Sequence, residues 1–75
     1  MPHIPVLKPQ EVVRILEILG FQEVRQRGSH KQYRHKDGRA TTVPFHKGRD
    51  ISPILLQQIA KNISLTIDDF LNIKR

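Results

Sequence analysis

Two short alternating runs, HKQYRH (residues 30–35) and RATTVPFH (39–46), stand on either side of Lys36-Asp37-Gly38. This is a hairpin signal: strand-compatible residues at period two, separated by a turn tripeptide that ends in glycine. Side chains alternate faces along a strand, so loop length decides which residues share a face. Tyr33 and Val43 are the best core candidates on the two strands, and they must lie on one side. A two-residue Asp37-Gly38 turn pairs Tyr33 with Thr42 and sends Val43 to the opposite side. A three-residue loop with Gly38 left-handed pairs Tyr33 with Thr41 and gathers Tyr33, Thr41, Val43 and Phe45 on the core face. The second solution is therefore expected. It puts His30, Gln32, Arg34, Thr42, Pro44 and His46 on an open face, and it sends His35 to the core side near the turn.

The flanking segments complete the plan. KPQEVVRILEILGF reads as a helix: Pro9 suits the first turn, Val12, Ile15, Leu16 and Leu19 form one apolar stripe, and Gly20 suits the left-handed position past its end. FQEVRQR reads as a first strand with Phe21 and Val24 as its apolar residues, although its alternation is imperfect; Gly28-Ser29 breaks it. SPILLQQIAKNI is a second helix with Ser52 as N-cap, Pro53 as first residue, and Ile51, Leu55, Leu56, Ile59 and Ile63 as its stripe. TIDDFL is a last helical turn capped by Thr66, with Leu65, Phe70 and Leu71 closing the core. Residues 1–7, with Pro2 and Pro5, are expected as an extended arm. The predicted class is α+β, in the order α-β-β-β-α(-α): a three-stranded antiparallel sheet with helices on one face.

Seventy-five residues make one small domain, expected to span 1–75. Such a chain buries only about 60% of its unfolded surface, and with no cysteine it has neither disulfide nor thiolate metal site to staple it. No run approaches the roughly 20 apolar residues of a membrane helix, and MPHIPVLKPQ lacks the features of a secretory signal. A cytoplasmic protein without a membrane partner is expected. The net charge of +6 is not evenly spread. Eight of the 13 Lys and Arg residues lie between Arg25 and Arg49, with Asp37 as the single acid among them. A patch of this kind is more often a solvated face in an ordinary domain, but here it exceeds the usual interspersion of signs and suits a phosphate track. Aromatics are few, so stacking platforms for single strands are not expected.

The histidines have bland readings too. An isolated histidine is usually an ordinary surface group. His30, His35 and His46 could in principle converge on a metal, but parity separates His35 from His30, and carboxylates nearby are scarce; no metal or other cofactor is expected. Ser29 and His30 are adjacent and point to opposite faces of a strand, so His30 does not activate Ser29.

Taken in order, the helix ending in ILGF, then RQRGSHKQYRHKDG, then TTVPFHKGRDISPILLQQI and then TIDDFL resemble the HicA toxin family of bacterial type II toxin–antitoxin systems, over about Val6 to Leu71. The resemblance implies a fold like the double-stranded RNA-binding domain, an mRNA-cleaving activity and control by a HicB-type antitoxin. It implies that the GSH histidine, His30, is catalytic; His46 matches the VPxH position and is a second candidate. The chain departs from the pattern where a glycine usually starts the turn into the second helix, since Ser52-Pro53 stands there. That change concerns helix capping and not the His30 face.

A metal-independent ribonuclease needs a base for the 2′-hydroxyl, an acid for the 5′ leaving oxygen, and cations for the phosphate. His30 and His46 are the proton-transfer candidates; Arg27, Ser29, Lys31, Arg34 and Lys47 are the candidate RNA contacts. Lys31 points away from His30 by parity, so Arg27 and Arg34 are the better phosphate ligands. Two other classes stay open: a non-catalytic RNA-binding module on the same face, and a domain whose basic face docks an acidic protein.

Overall fold

The computed structural model describes residues 5–46 and 48–73. Its elements are α1 (Pro9–Ile18), β1 (Gln22–Arg27), β2 (His30–Arg34), β3 (Ala40–Pro44), α2 (Pro53–Asn62) and α3 (Ile67–Asn72). The three strands form one antiparallel sheet in the order β1-β2-β3. This is the expected α+β layout, and it is compatible with the double-stranded RNA-binding arrangement.

The hairpin follows the parity argument. Tyr33 pairs with Thr41, and Lys31 with Val43. The His35 amide donates to the Arg39 carbonyl at 2.8 Å, which leaves Lys36, Asp37 and Gly38 as the loop. Gly38 has φ 97°, a conformation that costs a side-chain-bearing residue but not glycine. Tyr33, Thr41 and Val43 are buried, Phe45 is half-buried against the core, and Thr42 between them is exposed. The helices therefore cover one face of the sheet only.

Both long helices bury the stripes that period 3.6 predicts. Val12, Ile15 and Leu16 of α1 meet Leu56, Ile59 and Ile63 around α2, with Phe21 and Phe70 filling the space between elements. Leu19, Leu55, Leu65 and Leu71 lie at the margin of this core. The caps are local hydrogen bonds: the Leu55 amide donates to Ser52 Oγ at 3.2 Å, and the Asp69 amide to Thr66 Oγ1 at 3.1 Å. At the start of α1 the Lys8 amide donates to the Glu11 carboxylate at 3.0 Å.

Two expectations change. Residues 1–4 of the expected arm lie outside the described residues, but its end is not loose: Leu7 is buried and forms an antiparallel bridge with Ile51, joined by Ile51 N–H to Leu7 C=O at 2.7 Å. Val24 is not a core residue; it is 57% exposed. The reason is a β-bulge. The β1–β2 register runs Arg27–His30, Gln26–Lys31, Arg25–Gln32 and then jumps to Glu23–Tyr33, so Val24 is an extra residue with no partner across the sheet. This also explains the imperfect alternation of FQEVRQR.

Candidate functional site

The open face is built row by row from the ladder. Arg27, His30 and Pro44 form one row; Arg25, Gln32 and Thr42 the next; Gln22, Arg34 and Ala40 the third. The bulge decides the sign of this surface. In a regular strand Glu23, Arg25 and Arg27 would share a face, since alternation has period two. With one residue inserted, Glu23 turns to the helix side opposite Tyr33, while Arg25 and Arg27 stay on the open side. Three guanidinium groups, Arg25, Arg27 and Arg34, thus lie on one surface with no acid in the three rows.

His30 is placed by a two-residue turn. Gly28 has φ 55° and Ser29 has no positive φ, the II′ arrangement that suits the twist of a tight hairpin. The turn makes His30 the first residue of β2, opposite Arg27 on one side and Pro44 on the other. The ladder continues one step beyond, because the Phe45 amide donates to the Ser29 carbonyl. That bond holds the end of β3 against the GSH turn and brings His46 over His30. The two imidazoles stand edge to face, with centroids 5.7 Å apart and planes at 87°. Both residues are exposed. His46 also lines a cleft of about 390 Å³ with Lys8, Gln10, Phe45, Arg49 and Asp50.

His35 is elsewhere. Its ring packs on Phe21, with centroids 5.1 Å apart, and its Nδ1 accepts from the Asp37 amide at 3.1 Å. A Cβ on Gly20 would come within 3.1 Å of His35 Nε2, so this glycine is what lets the imidazole lie against the end of α1. Among the described residues no three His, Cys, Asp or Glu side chains come together in a way that could hold a metal ion.

The cations fall into two groups. Arg39 is structural: its Nη1 donates to the Ile63 carbonyl at 2.6 Å, its Nε to Asp37 at 2.8 Å, and its guanidinium lies over the Phe21 ring. It ties the hairpin loop to the end of α2. The Arg39 amide and guanidinium hold the Asp37 carboxyl below its usual range. Lys31 is on the helix side too, 4.4 Å above the Phe45 ring and 3.9 Å from Glu23. Of the sequence candidates, the structure brings Arg27, Arg34, His30 and His46 together on the open face. Ser29 sits half-buried in the turn, Lys31 faces away, and Lys47 lies outside the described residues. Sequence reading placed Gln32 on this surface and missed Arg25 as a member of it. Arg25 was accessible to it, since a two-residue turn pairs Arg27 with His30 and alternation then carries Arg25 to the same side.

Compared with known proteins, residues 9–65 match a family model described as HicA toxin of bacterial toxin–antitoxin. The matched span runs from the first residue of α1 to the residue before the α3 cap, and it contains the whole sheet and both open-face histidines. No curated protein matches the chain.

Proposed function

The chain belongs to the HicA toxin family, and from that premise we propose that it is a metal-independent endoribonuclease that cleaves mRNA on the open face of its sheet. Membership makes it the toxin of a toxin–antitoxin pair, with an antitoxin as its counterpart, and supports a nuclease-type activity. The finer reading rests on one observation: two exposed histidines meet edge to face at the end of three strand rows that carry three arginines and no acid.

That arrangement suits cleavage by the RNA's own 2′-hydroxyl. One imidazole takes the 2′-O–H proton as the oxygen attacks phosphorus. The other gives a proton to the departing 5′-oxygen, so the P–O5′ bond breaks as the P–O2′ bond forms. The products are a 2′,3′-cyclic phosphate and a 5′-hydroxyl. Arg27, across the strand from His30, and Arg25 and Arg34 beyond it hold phosphates. A HicB-type antitoxin covers this face in the inactive complex, and the toxin acts in the cytoplasm, where mRNA is.

The test is digestion of a purified mRNA by the wild type and by His30→Ala, with and without EDTA. Cleavage that leaves 5′-hydroxyl ends, persists in EDTA and disappears in His30→Ala is expected. Salt-dependent RNA binding without cleavage by the wild type would replace this reading with a non-catalytic RNA-binding module.

A further inference from the structure

His30 and His46 are not held alike. His30 lies within the sheet, paired with Arg27 on one side and Pro44 on the other. His46 stands beyond the last residue of β3. Among the described residues, two backbone bonds tie the chain around it: the Phe45 amide to the Ser29 carbonyl, and the Arg49 amide to the His46 carbonyl at 3.0 Å. Its imidazole touches the His30 ring and makes no hydrogen bond there. Where His46 points therefore depends on how firmly its neighbour Phe45 is anchored.

Phe45 is only half-buried. It packs on the margin of the core and also lines the cleft it shares with His46. Over its ring lies Lys31, with Nζ 4.4 Å from the centroid, where the negative face of the ring attracts an ammonium. Lys31 is held in turn by Glu23, 3.9 Å away. Glu23 reaches it because of the bulge, which turns this carboxylate to the Tyr33 side of the sheet instead of the arginine side. The side chains of Glu23, Lys31 and Phe45 thus connect β1, through β2, to the residue next to His46.

We infer that Lys31 is a positioning residue of the histidine pair: backed by Glu23, its ammonium anchors the Phe45 ring and so holds His46 against His30. The inference rests on the proposed RNA-cleaving reading and deepens it by naming what keeps the second proton-transfer group in place. Lys31 acts from the helix side, through Phe45, and does not hold phosphate. Two imidazoles that divide one reaction must keep a fixed separation, and a misplacement of about 1 Å can cost about 10²-fold in rate. One cation over a partly exposed ring contributes less than that, so its loss is expected to slow the reaction several-fold.

The test compares Lys31→Met, which keeps a long stem without the charge, with Lys31→Arg, which keeps a cation able to lie on the ring. In single-turnover cleavage of a short RNA, Lys31→Met should lower the maximal rate about 3–10-fold and leave the half-saturating concentration within about twofold. Lys31→Arg should stay within about twofold of wild type. Phe45→Leu should lose as much as Lys31→Met, and the double variant no more than either alone, because both remove one contact. In the free protein, nuclear Overhauser contacts between the His30 and His46 ring protons should weaken in Lys31→Met and persist in Lys31→Arg. Thermal melts confirm that each variant is folded. An intact ring contact in Lys31→Met, an unchanged rate, or losses that multiply in the double variant overturns the inference. So does a loss that appears as weaker RNA binding, which would make Lys31 a phosphate ligand. The ring contact is read without RNA, so a wild type whose contact depends on Lys31 but which cuts no RNA counts against the nuclease reading alone.

Discussion

The imidazoles of His30 and His46 meet edge to face at 5.7 Å, although one opens β2 and the other follows the end of β3. The contact depends on register: His30 pairs with Pro44, so His46 emerges on the same face two residues further on. If the pair divides the two proton transfers, His46→Ala should slow cleavage by about 10²–10⁴-fold. Its thermal stability should stay within about 0.5 kcal/mol of wild type, as for other exposed substitutions. Single-turnover kinetics on a short RNA measures this, and a His46→Ala enzyme with wild-type rates would leave His30 to act alone.

The arginines separate by where they point. Arg27→Ala should weaken RNA binding and reduce the slope of log affinity against log salt by about 0.7, the loss of one phosphate contact on a single strand. Arg39→Ala should leave that slope unchanged and instead cost about 1.5–3 kcal/mol of stability, because it removes charge-assisted bonds to Ile63 and Asp37. Salt titrations and urea denaturation on the two variants decide; a reduced salt slope in Arg39→Ala contradicts its assignment as a tether.

Tyr33 predicts a pH effect. Burial, helped by the charges of Glu23 and Glu17, raises its phenol above the ordinary value of 10.0. The folded state therefore favours the neutral form. The associated stability is complete below about pH 10 and is lost as pH rises through the raised folded value. Tyr33 is the single tyrosine and there is no tryptophan, so tyrosinate absorbance reports it directly. The folded protein should titrate at higher pH than the urea-unfolded chain, and Tyr33→Phe should move the alkaline unfolding midpoint upward. Coincident titration curves contradict this.

Ser64 is a residue in a glycine's position. It has φ 64°, the one positive φ among the described non-glycine residues. Its amide donates to the Lys61 carbonyl at 3.0 Å and that of Leu65 to Ala60 at 2.9 Å, the paired bonds that close a helix through a left-handed residue. Ser64→Gly should stabilise the protein by about 1 kcal/mol. The urea midpoint should rise with an unchanged m-value; a lower midpoint shows that the serine contributes something a glycine cannot.

Much of this molecule was legible before its coordinates. The Lys36-Asp37-Gly38 loop, the Tyr33–Thr41 pairing and the separation of His35 from His30 and His46 all follow from alternation and one glycine, because a two-period pattern with a known loop leaves a single register that buries Tyr33 with Val43. Val24 was misread for the complementary reason. A bulge inserts one residue without any compositional mark, and every face assignment N-terminal to it is inverted. The roles of Arg39 and Lys31 were hidden as well, since nothing in a run of cations tells which of them finds a carbonyl or an aromatic ring across the fold.

Local periodicity and turn chemistry therefore determined by themselves the order of elements, the helical stripes, the hairpin register and the family pattern that singles out His30. Only the tertiary structure decided that Arg25 and Arg27, and not Glu23, share the histidines' face, and that His46 closes onto His30. The physical reason is range. Propensity and alternation act between residues a few positions apart, whereas the bulge, the Arg39 tether and the histidine contact exist only once strands distant in sequence have paired.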